Sequence, residues 1–227
     1  VVETTGFENR HAARYREFES PSLRTQKQTA LYMDKRLIKF YDQHLAKHGV
    51  HSPEALAWRN DDSQSKRFRV LSEIGDLNGH SVLDEGCGLG DLYAFLQSRR
   101  VYTQYKGIDI NEQLIMAARQ KYPGVLFEVA DFSEYVSERV DYVLSSGALT
   151  FGIPNAKQVY FEHIMKMFDL SKIGAAFNML DDTFWRGDDT YVTYTVEEVY
   201  EFCCRLTDKI TVRRDYTPED FTFYLYH

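Results

Sequence analysis

Three glycines at every second position, Gly86, Gly88 and Gly90, follow Val82-Leu83-Asp84-Glu85 and lead into Asp91-Leu92-Tyr93-Ala94-Phe95-Leu96. Glycine accepts positive φ and has no Cβ, so such a turn lets a ligand lie against the backbone. The pattern predicts a strand, a tight turn and a helix with Asp91 as N-cap and Leu92, Phe95 and Leu96 on its buried face. A second acid fits the same chemistry. Tyr105-Lys106-Gly107-Ile108-Asp109-Ile110 reads as a short strand ending in a carboxylate, nineteen residues after Gly90. There it can accept from both hydroxyls of a ribose; the plainer alternative is that Asp109 caps the helix beginning near Asn111 or Glu112.

Spacing rules against phosphate ligands. The dinucleotide fingerprint G-x-G-x-x-G needs a small residue at position 91, which is Asp91. A carboxylate facing a pyrophosphate at a helix N-terminus would repel it. No G-K-[ST] follows, so the turn is no P-loop either. It reads as a seat for a nucleoside without phosphates, with a ligand-free βα turn as the alternative.

Over roughly residues 66 to 227 the chain resembles the class I S-adenosylmethionine-dependent methyltransferases, whose first motif is an acid followed by G-x-G-x-G after the first strand. Asp84, Gly86, Cys87, Gly88 and Gly90 match that motif. The resemblance implies that S-adenosylmethionine is the cofactor, with Asp109 on the ribose and Ile110 packed on adenine. It gives Asp131 the adenine amino group and Phe132 a backbone N–H on a ring nitrogen, although an Asp in a turn is also common for its own sake. Ser145 and Ser146, ending the fourth strand, would sit beside the methionine part and the reacting methyl. The family's Asn-Pro-Pro-Tyr-like signature for amino groups of nucleobases or glutamine is missing there.

Methyl transfer from a sulfonium needs an O, N, S or C nucleophile held in line with the S–CH3 bond. Proximity and orientation supply most of the barrier reduction, about 7–11 kcal/mol. No protein nucleophile or metal is required, and no catalytic residue is identifiable. A neutral amine attacks without prior deprotonation, whereas a base assists a hydroxyl acceptor; His11, Tyr15 and His163 are candidates, with a helix-surface histidine the plainer reading of His163. The long acidic and aromatic stretch 181–191 is the expected face for the acceptor, through Trp185 and Tyr191, with Tyr15 as a further contact. An acidic, aromatic-rich chain favours a small-molecule acceptor, transfer falling on O or N. Protein or RNA methylation, an NAD-dependent oxidoreductase and a cofactor-binding relative without turnover are the alternatives.

The elements that must position these residues follow from periodicity. Helical spacing runs from Gln28 to about His48, with Gly49 as its C′ residue. Ser52-Pro53-Glu54 opens a short helix through Trp58, and another spans about 63–75. After the second strand come a helix over Glu112 to Tyr122, burying Leu114, Ile115 and Ala118, and strands near 125–130 and 140–147. A helix from Val159 to Phe168 with Phe161, Ile164, Met165 and Phe168 buried precedes a strand over 175–180. Thr195 and Glu198 form a capping box, and the last two strands, 209–214 and 221–226, follow without an intervening helix and so pair antiparallel. The expected fold is α/β: a doubly wound, mostly parallel seven-stranded sheet with a C-terminal antiparallel hairpin and an N-terminal helical addition. The expected division is 1–62 as arm and helical cap and 63–227 as the cofactor-binding domain.

Composition bounds the rest. The 227 residues, 44% hydrophobic and 27% charged, suit one α/β domain with additions. No apolar run spans a membrane, and the first residues lack the pattern of a signal peptide. Three cysteines, Cys87, Cys203 and Cys204, make no disulfide framework and read as reduced thiols of a cytoplasmic protein. Net charge is −7, which disfavours nucleic acid despite ten Lys and Arg against seven Asp and Glu in residues 1–60. His44, His48 and His51 read as surface histidines, so no metal is expected.

Overall fold

The computed structural model describes residues 23–183 and 190–227. Helix α1, Leu23–His48, is followed by a 3-10 turn at Pro53–Leu56 and by α2, Asp61–Ser72. The alternating part runs β1 Ser81–Glu85, α3 Asp91–Ser98, β2 Gln104–Asp109, α4 Glu112–Lys121, β3 Leu126–Val129 and β4 Val140–Ser145. Then come a 3-10 turn at Ala148–Thr150, α5 Ala156–Leu170, β5 Ser171–Leu180, α6 Val196–Cys203, β6 Ile210–Arg213 and β7 Asp220–Tyr226. The seven strands lie in the order β3-β2-β1-β4-β5-β7-β6. All pairs from β3 to β5 are parallel, while β7 runs antiparallel to both β5 and β6.

Alternation along the strands divides the core into two layers. Leu83, Val143, Ala175 and Phe177 face α5 and α6 and pack on Ile164, Phe168, Val199 and Phe202. Their neighbours Val82, Leu144 and Ala176 point the other way, onto Phe68 and Leu71 of α2, Leu92 and Leu96 of α3, and Ile115 and Ala118 of α4. Helices on both faces of a mostly parallel sheet, closed by a terminal hairpin, are the architecture the hydrophobic pattern demands.

Local signals explain where elements begin. Asn111 caps α4, its side chain accepting from Leu114 N–H at 3.0 Å. Thr195 and Glu198 make the reciprocal capping box at α6. Gly49, at φ +77°, closes α1.

Several expectations shift. Asp91 is the first residue of α3 and Gly90 takes the N-cap position, because the turn stays left-handed to its last residue. Helix α1 begins at Leu23 rather than Gln28, and the short helix after Ser52 is a single 3-10 turn that stops before Trp58. Helix α2 begins earlier than the apolar pattern indicated because Asn60 accepts from Ser63 N–H at 2.9 Å. Strand β5 extends back to Ser171, where it pairs with Val140.

Candidate functional site

The strand order fixes where a crevice can open. The chain steps outward from β1 to β2 and β3 and then crosses back to β4 on the other side of β1, so the C-terminal ends of β1 and β4 meet at a topological switch point. A cavity of about 560 Å3 lies there, lined by residues ending β1, β2, β4 and β5 and by the segment after β3. Its roof comes from the N-terminal elements: Leu37 and Tyr41 of α1, Leu56 of the 3-10 turn, and Trp58.

The glycine turn forms its floor. Gly86 has φ +69°, and a Cβ there would strike the Ala148 side chain. Gly88 has φ +52°, and a Cβ would stand 2.9 Å from the Leu56 side chain in the roof. These two positions are bare because Ala148 beside Gly86 and Leu56 of the roof over Gly88 leave no room for a Cβ. Gly90, Cys87 and Asp84 lie outside the cavity wall. Asp84 is buried and accepts from the Tyr105 hydroxyl. Its burial outweighs that hydrogen bond and, with the charges of Glu85 and Asp109 nearby, pushes its carboxyl up to about 8. Burial likewise pushes the Cys87 thiol up, so it is a packed thiol rather than a nucleophile.

Asp109 lies on the cavity wall and is held from behind. Its Oδ2 accepts from Gly88 N–H at 2.9 Å and its Oδ1 from Asn111 N–H at 2.8 Å. It is therefore not the helix cap; Asn111 is. A carboxylate has about four lone-pair sites, so both oxygens keep capacity toward the cavity. Burial raises its carboxyl to about 6 against these two bonds. Ile110, Asp131 and Phe132 share the same wall. Asp131 accepts from Ser133 N–H at 2.8 Å, which turns the segment after β3.

Of the two serines ending β4, Ser146 lines the cavity and Ser145 lies behind it, fully buried, with its hydroxyl donated to Glu85. Tyr191 lines the cavity and meets Phe151 edge-on at 6.5 Å. Trp185, Tyr15 and His11 lie outside the described residues.

Two sequence readings need correction. Asp91 does not face the cavity: its Oδ1 pairs with Lys121 Nζ at 2.5 Å and its Oδ2 accepts from Gln64 at 3.3 Å. Starting α3 at Asp91, one residue earlier than Asp91 as cap would allow, turns the carboxylate outward, toward α2 and α4. Charge still opposes a diphosphate, from other residues. Glu85, Asp109, Asp131, Glu162, Glu219 and Asp220 line the cavity against Arg59 and Arg67, and both guanidiniums are paired, Arg67 with Asp220 and Arg59 with Glu219. His163 is likewise no surface residue. Its side chain is 13% exposed, and its Nδ1 lies 3.3 Å from Glu85 Oε1. Tyr160 and Met167 join the expected Ile164, Met165 and Phe168 in the buried stripe of α5, Phe161 is only half-buried, and the shifted stripe carries His163 inward.

Other wall residues gave no sequence signal. Trp58 stacks under the Arg67 guanidinium at 4.9 Å and packs close over Gly147. Asn178 accepts from Gly147 N–H at 3.0 Å, and Tyr41 is placed by the packing of α1. The roof is tied down where Asn111 Nδ2 donates to Asp42 Oδ1 at 2.9 Å. Among the described residues no group of three potential ligands could hold a metal ion. His44 instead bonds the Glu54 carbonyl at 3.0 Å and stacks with His48. No described helix is long and apolar enough to cross a membrane.

Comparison with known proteins meets this geometry. Residues 82–169, from the glycine-turn strand through most of α5, match the family described as methyltransferase domain. Those residues, under half of the chain, are similar to the methyltransferase domain, and the fold is that of S-adenosylmethionine-dependent methyltransferases. It is 28% identical over 152 residues to the putative methyltransferase Rv1506c of Mycobacterium tuberculosis, covering 63% of this chain and 90% of that protein. To the putative methyltransferase 235L of Invertebrate iridescent virus 6 it is 34% identical over 113 residues, 48% of this chain and 41% of that protein. Its fold is similar to that of magnesium protoporphyrin IX methyltransferase from Synechocystis PCC 6803, solved with bound SAM: TM-score 0.52, 15% identity, covering 98% of this chain and 92% of that one. The methyltransferase match begins at Val82, so α1, the first 3-10 turn and α2, which supply the roof and Arg67, stand outside it.

Proposed function

We propose that this methyltransferase holds S-adenosylmethionine across the ends of β2, β1 and β4 and methylates an O or N atom of a small-molecule acceptor. The bound donor would supply a methyl on a sulfonium, already an excellent leaving group. Asp109 accepts from the ribose hydroxyls, and Ile110 and Phe132 enclose the adenine, whose amino group meets Asp131. Gly86 and Gly88 offer bare backbone along the nucleoside, and Ser146 stands at the methionine end. Asp84, Cys87, Gly90 and Ser145 act from behind, shaping the turn. Within the division 1–62 and 63–227, the described part of the first stretch forms the cap and the second the cofactor domain.

The observation that carries this reading is the roofed cavity with its excess of carboxylates. An acidic enclosure favours a cationic ligand over a diphosphate. Enclosure also supports a small acceptor, since Trp58, Phe151 and Tyr191 line the cavity beneath or beside the roof. A pocket of this size and lining is typical of small-molecule sites. No external base is assigned, because orientation alone supplies much of the rate.

The test is release of S-adenosylhomocysteine during a screen of phenols, carboxylic acids, alcohols and amines beside RNA and protein pools. Turnover with a small molecule is expected. Turnover confined to a macromolecular pool would overturn the acceptor assignment, and no turnover with tight donor binding would favour a binding-only relative.

A further inference from the structure

Glu85 ends β1 directly before the glycine turn, and its buried carboxylate lines the cavity. Its partners among the described residues are the Ser145 hydroxyl and the His163 imidazole; no lysine or arginine is paired with it. A buried carboxylate without a cation is costly. The other His163 nitrogen, Nε2, lies 3.1 Å from Ser133 Oγ on the cavity rim. The pair therefore joins the ends of β1 and β4 to the segment after β3.

Topology places Glu85 in the path of the ligand. Glu85 is in register with Ile108 of β2 on one side and Ser145 of β4 on the other. A ligand with its ribose at Asp109 and its methionine half at Ser146 must cross the end of β1. Methyl transfer then changes the charge above Glu85, because a sulfonium becomes a neutral thioether.

We propose that His163 becomes protonated when methyl transfer discharges the sulfonium, and that Glu85 faces the sulfonium before transfer and the His163 imidazolium after it. This rests on the cofactor reading above. The acceptor's O–H or N–H gives its proton to solvent as its lone pair bonds the methyl carbon, the S–CH3 electron pair stays on sulfur, and His163 takes its proton from solvent. Ser133 suits both states, since its hydroxyl donates to a neutral Nε2 and accepts from a protonated one. The charged and titratable groups around His163 are Glu85 from β1, Asp109 from β2, Asp131 and Glu134 after β3, and Tyr160, Glu162 and Lys166 on α5 itself. Lys166 is turned to the Ser133 carbonyl at 2.9 Å.

Calorimetric titration of the full chain with S-adenosylmethionine and with S-adenosylhomocysteine, in buffers of different ionisation enthalpy near pH 7, reads the proton directly. The product complex is expected to take up about one proton more than the donor complex. His163→Gln abolishes that difference with both ligands still bound, and Glu85→Gln abolishes it and lowers the preference for donor over product about tenfold. The ring 15N shifts of His163 in the unmodified protein give the same answer should a variant misfold: imidazolium with product, neutral with donor. Equal proton uptake for the two ligands, or a difference surviving in His163→Gln, overturns the proposal and leaves the cofactor site standing. Failure of both ligands to bind overturns the cofactor reading itself, and this proposal with it.

Discussion

Replacing Asp109 with Asn removes one negative charge and one acceptor oxygen at the point where the ribose is expected to rest. The carboxylate already serves Gly88 N–H and Asn111 N–H, and Asn retains a single oxygen to share between those donors and a ligand. Hydrogen bonds to charged groups contribute about 1.5–3 kcal/mol each. Losing most of two of them costs about 2–4 kcal/mol, or a roughly 30- to 700-fold rise in Kd for S-adenosylhomocysteine. Calorimetry measures this, with a second ligand lacking both ribose hydroxyls as control; against it, variant and unmodified protein should agree within about twofold. The pH dependence has a definite sign. Burial raises the Asp109 carboxyl to about 6, and ribose donors favour its ionised form. Affinity of the unmodified protein for S-adenosylmethionine is therefore retained above that pH and lost as pH falls through it, and the Asn variant lacks that loss. An Asn variant that folds and binds with unchanged Kd would refute the assignment.

Asp84 gives a stability test that needs no ligand. Its folded carboxyl, raised to about 8, binds its proton more tightly than the unfolded chain does, so stability is lost as pH rises from the unfolded value near 4 toward 8. Asp84→Asn, which still accepts from Tyr105, should flatten the fall in Tm over that window; an equally steep fall would remove Asp84 as its source. Gly88→Ala meets left-handed strain of about 1–2 kcal/mol together with the Leu56 contact, and should lower Tm and abolish ligand binding, a normal melting curve being the contrary result. Asp42→Ala cuts the tie to Asn111 without touching the helix cap, so hydrogen exchange should rise in α1 and not in α4. Thr195→Ala should cost about 1 kcal/mol through its cap, read as a denaturant midpoint shift at constant m.

The sheet was legible because its signals are local and repeat. Glycines 86, 88 and 90, the acid ending β2 and the capping box at Thr195 each state their structure within a few residues. The antiparallel hairpin followed from the missing helix between β6 and β7. What escaped depends on contacts between distant segments. One residue of error in the start of α3 reversed the reading of Asp91, because helix position decides which way a side chain points. His163 read as a surface residue until α5 met the sheet, and Glu85 drew no notice beside Asp84, although only Glu85 reaches the cavity. Trp58 and Arg67 belong to the site through the packing of the N-terminal segment over the glycine turn. No local pattern announces that packing.

The central claim is that the crevice across β2, β1 and β4 is shaped and charged for a sulfonium nucleoside rather than a dinucleotide. Thermal shift with S-adenosylmethionine, S-adenosylhomocysteine, NAD and NADP tests it most directly. A ligand at a hundred times its Kd stabilises by about 2.7 kcal/mol, so the first two should raise Tm by several degrees and the dinucleotides should leave it unchanged. A rise with NAD or NADP alone would contradict the account.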